Sequence, residues 1–192
     1  MSKEKVLLIG GGGHCHSVID VLEQENKYKI MGIIDKPELK GKKILGYEVI
    51  GSDDDLQTIF QNCKNAVITI GHIQSNKIRV QLFQKLKEIG FSLPIVISPI
   101  AYVSKYAQIG EGSIVMHHAL VNANAKIGVN CIINSKALVE HDVIIEDNCH
   151  IATASVVNGG VTVKVNTFYG SNAVSKQDVE IQGFVKAGSI LK

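Results

Sequence analysis

The chain has 192 residues, 45% of them hydrophobic, and carries 20 Lys and Arg against 18 Asp and Glu, a net charge of +2. Such a balanced charge, without a long basic run, argues against nucleic acid or an anionic membrane surface as a partner. The N-terminus has no basic-then-apolar leader, no apolar stretch reaches about 18 residues, and the four cysteines are scattered. We therefore expect a cytoplasmic protein without a signal peptide or a membrane span.

Residues 1–94 alternate predicted strands with predicted helices. Each strand is a short apolar run that closes on a glycine or an aspartate, and the helices carry aliphatic residues at helical spacing. In chain order, the predicted elements are a strand at 5–10, a helix at 17–25, a strand at 28–34, a helix at 52–60, a strand at 66–70 and a helix at 76–89. This βαβαβα order predicts a small Rossmann-like α/β domain with a parallel sheet, whose ligands meet the carboxyl ends of the strands.

A glycine-rich turn follows the first predicted strand, where glycines 10–13 precede His14 at the start of a helix. Backbone N–H groups of such a turn can approach an anion closely, and the helix dipole attracts it, so the turn predicts a phosphate site. A purely structural turn is the alternative, because Cys15 or His16 stands where a dinucleotide-binding fingerprint has its third glycine. Neighbouring residues at a helix start diverge, so His14, Cys15 and His16 do not predict a metal site.

The second and third predicted strands also end in suggestive turns. Asp35 and Lys36 follow the second strand, and Gly71 and His72 follow the third. Asp35 is either a contact to a ribose or a base, or an ordinary residue of a strand-end turn.

The second half of the chain, residues 95–192, carries a six-residue repeat. From Val103 to Val163 every sixth residue is Val or Ile, and most residues two places earlier are small. A period of six fits neither a helix nor an ordinary strand, but it marks a parallel β-helix in which each unit is one short strand and a corner. We therefore predict two domains, residues 1–94 and 95–192. Tyr169 and Ser175 replace aliphatic residues in the repeat, which predicts less regular last coils.

Positions 18 residues apart are expected to stack in successive coils. Cys131 and Cys149 have this spacing, so we expect them to pack inside the core about one strand spacing apart, with a disulfide or a metal site as the alternatives. Asn130, Asn148 and Asn166 should share one corner, because asparagine tolerates left-handed backbone and bonds its own turn.

His141 stands out among the histidines because Glu140 and Asp142 flank it at a predicted corner. A neighbouring carboxylate fixes the tautomer of an imidazole and stabilises its protonated form, which suits a general base. On the residues alone, a solvated corner histidine is the alternative. His117 and His118 are predicted to be surface or interface residues.

Together, the glycine turn with its histidine, the short α/β domain and the hexads that carry Glu140, His141 and Asp142 resemble the NeuD and PglD type of bacterial sugar acetyltransferases. The resemblance extends over nearly the whole chain. It implies a left-handed β-helix, a homotrimer, and acetyl-coenzyme A (acetyl-CoA) bound in the groove between neighbouring subunits, without a metal. It also implies that the N-terminal domain holds a nucleotide-linked amino sugar of the UDP-4-amino-sugar type, for bacterial glycan biosynthesis.

The same resemblance implies roles for individual residues. His141 looks like the general base, with Asp142 or Glu140 as its supporting acid. The positions expected to contact acetyl-CoA are His150, Gly159, Gly170 and Ser171. The positions expected to contact the sugar nucleotide are the turn of Gly12, Gly13 and His14, the pair Asp35 and Lys36, and the strand-end residue Gly71.

The implied reaction is direct transfer of an acetyl group to the sugar amine, from which His141 removes a proton. O-acetylation of sialic acid by the same fold and a non-enzymatic scaffold are the alternatives. Many relatives end with a G-x-P-A-K-like segment that helps to cover the cofactor, whereas this sequence ends at residues 188–192 without one. We therefore expect the binding of coenzyme A to differ at that end.

Overall fold

The computed structural model describes residues 3–192. The chain forms two compact units. The first contains the residues up to Gly71 together with Lys77–Pro94, and the second contains His72–Asn76 and Ile95–Lys192. The segment His72–Asn76, which the sequence pattern places in the first domain, thus packs with the C-terminal half. No helix within residues 3–192 has both the length and the apolar character needed to cross a bilayer.

The first unit is a five-stranded sheet combined with helices. Its elements are, in chain order, β1 (Glu4–Ile9), α1 (Gly13–Glu25), β2 (Tyr28–Ile34), β3 (Lys43–Ile44), β4 (Tyr47–Gly51), α2 (Leu56–Ile59), β5 (Asn65–Ile68) and α3 (Lys77–Ile89), with 3₁₀ turns at Pro37–Leu39 and Asp53–Asp55. The strand order is β3-β4-β2-β1-β5. Strands β4, β2, β1 and β5 are parallel, so their carboxyl ends meet at one edge of the sheet.

The position of β1 inside the sheet, between β2 and β5, explains why its sequence is a continuous apolar run. Val6, Leu7, Leu8 and Ile9 are all buried, as expected for a strand that is covered on both faces. Helix α1 buries a stripe at helical spacing and ends at Asn26, whose φ of 58° is the left-handed conformation common after helices.

Two details of this unit differ from the sequence prediction. The sequence predicts three strands, and the structure adds two: β4, which is parallel to β2, and β3, which forms an antiparallel hairpin with β4 at the edge of the sheet. Strand β3 has only two residues, too few for a recognisable pattern, and the hairpin turns tightly through Leu45 and Gly46, with φ of 47° and 90°. Helix α1 begins at Gly13 rather than at residue 17, so the glycine turn leads directly into the helix.

The second unit is a parallel β-helix whose two-residue strands stack in three sheets. The strands of the first sheet are β6 (Val96–Ile97), β9 (Ile114–Val115), β12 (Ile132–Ile133), β15 (His150–Ile151), β18 (Phe168–Tyr169) and β21 (Phe184–Val185). Those of the second are β7 (Tyr102–Val103), β10 (Leu120–Val121), β13 (Leu138–Val139), β16 (Val156–Val157), β19 (Val174–Ser175) and β22 (Ile190–Leu191). Those of the third are β8 (Gln108–Ile109), β11 (Lys126–Ile127), β14 (Ile144–Ile145), β17 (Thr162–Val163) and β20 (Glu180–Ile181).

The repeat positions form the core of this β-helix, as the sequence predicts. The register pairs Val121 with Val139 and Val139 with Val157, so stacked residues are one 18-residue coil apart. Cys131 and Cys149 are buried in the same core, where both are free thiols.

The expected irregularity of the last coils is confined to one turn. Tyr169 and Ser175 are buried at regular repeat positions, where the Tyr169 hydroxyl donates to the Val156 carbonyl and the Ser175 hydroxyl accepts from the Asn158 N–H. The irregular turn comes after these two residues. Strand β20 ends at Ile181 and β21 ends at Val185, only four residues later instead of six.

The corners of the β-helix require left-handed backbone, and the asparagine ladder supplies it. Asn130, Asn148 and Asn166 have φ of 57°, 59° and 63°, as predicted. The Asn130 amide donates to the Asn148 side-chain oxygen at 2.8 Å, so the stacked corners are also hydrogen-bonded to each other.

This conformation predicts the order of stability of two substitutions. Both Asn148→Gly and Asn148→Ala remove the side-chain hydrogen bond from Asn130, but only alanine places a Cβ at a φ of 59°. Because that conformation costs a residue with a Cβ about 1–2 kcal/mol and glycine adopts it freely, Asn148→Ala should lower the free energy of unfolding more. Equilibrium unfolding of both variants in urea measures the difference. A larger loss in Asn148→Gly would contradict the corner assignment.

Candidate active site

His141 lies at an exposed corner of the β-helix, between β13 and β14. The residue after it, Asp142, has a φ of 59° and belongs to a corner column with Asn124, Gly160 and Asp178, all of which have positive φ. This tight turn projects the side chains of His141 and Asp142 outward, and each remains 55% exposed. The corner therefore presents an imidazole and a carboxylate to a ligand outside the β-helix.

Asp142 holds the His141 ring. Nδ1 of His141 lies 2.8 Å from a carboxylate oxygen of Asp142. Because a carboxylate only accepts hydrogen bonds, Nδ1 carries the proton and Nε2 of the neutral ring keeps a free lone pair. The hydrogen bond with Asp142 raises the pKa of His141 above its ordinary value, and the charges of Asp142, Glu140 and Asp178 act in the same direction.

Two asparagines of the preceding coil fix the acids that flank His141. The Asn124 amide donates to Asp142 at 2.6 Å, and the pKa of Asp142 is lowered chiefly by this bond and then by its bond with His141. The Asn122 amide donates to Glu140 at 2.8 Å. The same Glu140 oxygen accepts the backbone N–H of His141 at 3.2 Å, so Glu140 holds the main chain of the corner while Asp142 holds the ring.

Gly159 lies directly beside the His141 ring, one coil later. A Cβ at position 159 would lie 2.7 Å from Cε1 and 2.9 Å from Nε2 of His141, so only glycine leaves room for the ring. Within residues 3–192, the backbone N–H of Gly159 has no hydrogen-bond acceptor. An exposed imidazole and an unused backbone donor are therefore adjacent, although the sequence alone did not indicate any particular donor.

His150 is not at this corner but on the first sheet, and it is almost completely buried. Its Nδ1 lies 2.6 Å from the backbone carbonyl of His72, which can only accept, so Nδ1 is protonated. Its Nε2 lies 3.1 Å from the Asn134 side-chain nitrogen and accepts from it. These contacts fix a neutral tautomer and occupy both ring nitrogens. The contact with His72 was not foreseeable from the hexad pattern.

Gly170 and Ser171 lie on a later coil. A Cβ at Gly170 would lie 2.6 Å from the backbone atoms of Lys186 and Ala187, so the close approach of the next coil explains this glycine. The backbone carbonyl of Ser171 accepts the N–H of Gly188 at 2.9 Å.

In the first unit, Gly12 and Gly13 form the start of α1. Gly12 occupies the N-cap position, and a Cβ at either glycine would meet nothing within 4 Å. Packing within the protein therefore does not require glycine at these two positions, and both leave open space at the helix N-terminus. This is the arrangement that favours an approaching anion.

His14 and Gly71 contact each other next to this turn. A Cβ at Gly71 would lie 3.5 Å from Cβ of His14, an ordinary contact distance. The hydroxyl of Thr69, which the sequence pattern did not indicate, lies within hydrogen-bond distance of the carbonyls of Ile9 and Gly10, and its one proton bonds the glycine turn to the neighbouring strand end.

Asp35 connects two turns through its carboxylate. One oxygen accepts the backbone N–H of Gly11, and the other accepts the N–H of Lys36 at 2.7 Å. Gly11 is required here, because a Cβ at that position would lie 2.4 Å from the Ile44 side chain and 2.9 Å from Asp35. Asp35 is thus at the expected edge, and both of its oxygens are engaged within the unit.

A cavity of about 350 Å³ opens at the same edge of the sheet. Gly10, Asp35 and Lys36 contribute to its wall, whereas Gly12, Gly13, His14 and Gly71 do not line it. Sequence reasoning missed Ser52, Asp53 and Asp54 as lining residues, because they fit equally well as the start of a helix. Three consecutive aspartates after a strand end were the available signal.

The remaining histidines and cysteines show no metal arrangement. Within residues 3–192 no group of three or more His, Cys, Asp or Glu side chains is placed to hold a metal ion. Burial raises the pKa of the Cys15 thiol to about 11, so it is protonated at neutral pH. His117 lies 2.7 Å from the Ser98 hydroxyl, and the exposed His118 occupies a corner with a φ of 57°.

Comparison with known proteins supports both units. The PglD N-terminal domain family matches residues 5–86. No curated protein sequence matches significantly. Among solved structures, PerB of Caulobacter crescentus in complex with CoA and GDP-perosamine is 34% identical, with a TM-score of 0.91 over 100% of this chain and 90% of that chain. A His-to-Asn variant of perosamine N-acetyltransferase from the same organism, with the same two ligands, is 33% identical, with a TM-score of 0.92 over the same shares.

A third similar structure is the acetyltransferase domain of PglB from Neisseria gonorrhoeae in complex with acetyl coenzyme A. It is 27% identical, with a TM-score of 0.90 over 99% of this chain and 93% of that chain. These similarities confirm the predicted fold, a small α/β parallel-sheet domain followed by a left-handed β-helix. The chain therefore belongs to the NeuD and PglD type of sugar acetyltransferases.

Proposed function

We propose that this protein transfers the acetyl group of acetyl-CoA to the amino group of a nucleotide-linked sugar, with His141 as the general base. The observation that carries the proposal is the corner at which His141, Asp142 and Gly159 meet. It combines an exposed imidazole, a carboxylate at 2.8 Å from Nδ1 and an adjacent glycine N–H without an acceptor in the described residues. Base and donor side by side are what acyl transfer to an amine requires.

The chemistry follows from the tautomer of His141. Nε2 of the neutral ring accepts a proton from the sugar amine as its nitrogen attacks the thioester carbonyl, and Asp142 stabilises the resulting imidazolium. The N–H of Gly159 is the proposed donor to the carbonyl oxygen, on which negative charge develops. Coenzyme A leaves as a thiolate, and because thiols ionise near ~8.5 it is a good leaving group that does not need a strong general acid.

The remaining assignments follow the family. Acetyl-CoA is proposed to lie between neighbouring subunits of a homotrimer, near His150 and the backbone of Gly159, Gly170 and Ser171. Because both ring nitrogens of His150 are occupied, we propose that it shapes the site as a neutral, fixed ring.

The α/β unit, residues 1–94, is proposed to hold the nucleotide sugar, with the turn of Gly12, Gly13 and His14 at the phosphates or sugar. The proposed contacts of Asp35, Lys36 and Gly71 belong to the same site. The resemblance favours a UDP-linked sugar for glycan biosynthesis, whereas the similar PerB structure contains GDP-perosamine.

A substrate panel tests the proposal directly. The chain is incubated with acetyl-CoA and, separately, UDP- and GDP-linked 4-amino sugars, CMP-sialic acid and sialic acid, and acetylated products are detected by mass. We expect acetylation of an amine, and a turnover lower by about 10²–10⁴ in His141→Asn because a positioned base contributes that much. His118→Asn, which removes an exposed histidine from the corner between β9 and β10, is the matched control for loss of a corner histidine and should retain turnover.

The panel also separates the alternatives. Acetylation of hydroxyl acceptors alone would indicate an O-acetyltransferase. No transfer, together with no thermal shift on addition of coenzyme A, would indicate a scaffold. Full turnover in His141→Asn would remove His141 from the role of base.

The raised pKa of His141 predicts the pH dependence of the rate. Transfer needs the neutral ring, so kcat/KM should fall as pH drops through this pKa, which lies above the ordinary value of about 6.5. Asp142→Asn keeps a side chain that tolerates a φ of 59°, but it weakens the hydrogen bond that contributes most to the raised pKa of His141 and removes the charge of Asp142. We therefore expect the acid limb to move to lower pH and the maximal rate to fall. If the acid limb does not move in Asp142→Asn, the limb does not report the titration of His141.

Gly159 provides a steric test of the same corner. In Gly159→Ala the new Cβ would lie 2.7 Å from Cε1 of His141, so the ring must move away from its position against Asp142. Turnover should fall by up to about 10²-fold with little change in the thermal midpoint, since misplacement of a reacting group by about 1 Å has effects of this size. In a His141→Asn background the same substitution should have almost no further effect. If Gly159→Ala and His141→Asn instead lower turnover independently, so that their effects multiply, Gly159 does not act through the ring of His141.

A further inference from the structure

Tyr169 and Ser175 interrupt the aliphatic repeat of the β-helix, and both are buried at its inward positions. A hydroxyl in an apolar core is costly unless it is hydrogen-bonded. The Tyr169 hydroxyl donates to the Val156 carbonyl at 2.9 Å. Burial raises the pKa of Tyr169 to about 12, against the opposing effect of a hydrogen bond with Ser175. The two interruptions therefore form one polar cluster inside the β-helix, in contact with the coil that carries Gly159.

The Ser175 hydroxyl changes how that coil bonds to the next one. At an ordinary coil, the backbone N–H that follows a second-sheet strand donates to a backbone carbonyl one coil later, as Glu140 does to Val157 at 2.9 Å. Asn158 instead donates its backbone N–H to the Ser175 hydroxyl at 2.9 Å. The carbonyl of Ser175 accepts the side-chain amide of Asn158 at 2.5 Å. Ser175 thus holds both the backbone and the side chain of Asn158.

This arrangement keeps the Asn158 side chain from bonding to the next N–H along the chain, that of Gly159. At the corresponding corner two coils earlier, the side-chain oxygen of Asn122 accepts the N–H of Ala123 at 2.7 Å. One coil earlier, Glu140 accepts the N–H of the residue that follows it at 3.2 Å. The N–H of Gly159 has no such acceptor in the part of the chain from residue 3 to residue 192.

The other backbone groups of the turn 158–160 are engaged. The carbonyl of Gly159 accepts the N–H of Asp178 at 3.1 Å, and Gly160 donates to the carbonyl of His141 at 3.1 Å. Among the three N–H groups of this turn, that of Gly159 is therefore the one for which residues 3–192 supply no acceptor. Gly159 lies against the ring of His141.

We propose that Ser175 is a positioning residue for acetyl transfer: it holds Asn158 away from Gly159 and so keeps the Gly159 N–H open for the thioester oxygen. The inference rests on the proposed function for that role of Gly159. An aliphatic residue at position 175 has no hydroxyl, so the Asn158 N–H would return to the carbonyl and release the side-chain amide. The released side chain would then close the Gly159 donor, as Asn122 closes that of Ala123.

Removal of the hydroxyl tests the inference in steady-state kinetics of the full chain, with acetyl-CoA and the 4-amino sugar nucleotide that the panel shows to be acetylated. In Ser175→Ala, kcat should fall by about 10- to 100-fold with little change in either KM, because the thioester oxygen must displace the Asn158 side chain; complete loss of an oxyanion donor costs about 10²–10³. The acid limb of the pH profile should stay in place, because the bond between His141 and Asp142 does not involve Ser175.

A second substitution separates positioning from structural damage. Asn158→Ala removes the side chain that would close the Gly159 donor, so the double variant with Ser175→Ala should recover most of the lost kcat. Two packing defects would instead reduce kcat further. Asn158→Asp should reproduce the loss with the Ser175 hydroxyl intact, since a carboxylate cannot donate to the Ser175 carbonyl but can accept the Gly159 N–H.

Ser113→Ala is the matched control. The buried hydroxyl of Ser113 accepts the backbone N–H of Cys131 from the next coil at 2.9 Å, the same kind of bond at the same length. Its removal leaves the turn 158–160 untouched and should leave kcat unchanged.

NMR with isotope-labelled glycine reports on the Gly159 donor without any substrate, and the signal is identified by its absence in Gly159→Ala. Because hydrogen bonding moves an amide proton to higher frequency, the Gly159 signal should move in that direction in Ser175→Ala and return in the double variant. The Ser113→Ala control should leave it in place.

Three results would overturn the inference: unchanged kcat in Ser175→Ala, a double variant slower than Ser175→Ala, or a Gly159 signal that does not move. If Ser175→Ala does not fold, the contrast between Asn158→Asp and Asn158→Ala decides, and equal kcat in these two variants contradicts the inference. If no amine of the panel is acetylated, the proposed function fails, and the Gly159 signal alone decides whether Ser175 keeps the donor open.

Discussion

The stacking of each residue on the one a full coil away is the constraint from which the candidate active site follows. It places Asn122 below Glu140 and Asn124 below Asp142, and it brings Gly159 against the ring of His141. These contacts come from different coils, yet the parallel register fixes them all without any long or flexible segment. A β-helix thus supplies a frame in which the preceding coil anchors the two acids beside an exposed corner histidine, and support of this kind keeps side chains in a defined geometry.

In the first unit, the turns at the edge of the sheet are fixed by hydrogen bonds within that unit and not by stacked coils. Its parallel strands end at one edge, and the turns there are fixed by short internal hydrogen bonds, such as those of Asp35 with Gly11 and Lys36 and of Thr69 with Gly10. Groups that are engaged in this way shape the edge, whereas the exposed Asp53 and Asp54 make no such side-chain bond within residues 3–192.

Much of this architecture could be predicted from the sequence, for physical reasons. A six-residue period has one structural solution, so the β-helix, its buried Cys131 and Cys149 and its left-handed asparagine corners were predictable. The two acids that flank His141 are consecutive with it in the sequence, and the same period placed all three at a corner. Short elements and contacts between distant residues were not predictable: the two-residue strand β3 has too little pattern. The bond of His150 to the carbonyl of His72 joins residues 78 positions apart, which no local pattern reveals.

The central claim is that Asp142, anchored by Asn124 of the preceding coil, raises the pKa of His141, and an NMR titration of the His141 ring tests this most directly. The account predicts a pKa above the ordinary value of about 6.5 in the unaltered chain. It also predicts a lower pKa of His141 in Asn124→Gly, which keeps the left-handed corner but removes the bond that anchors Asp142, although Asn124 bonds to Asp142 from the preceding coil and not to His141 itself. A pKa at or below about 6.5 in the unaltered chain, or one that does not change in Asn124→Gly, would contradict the account.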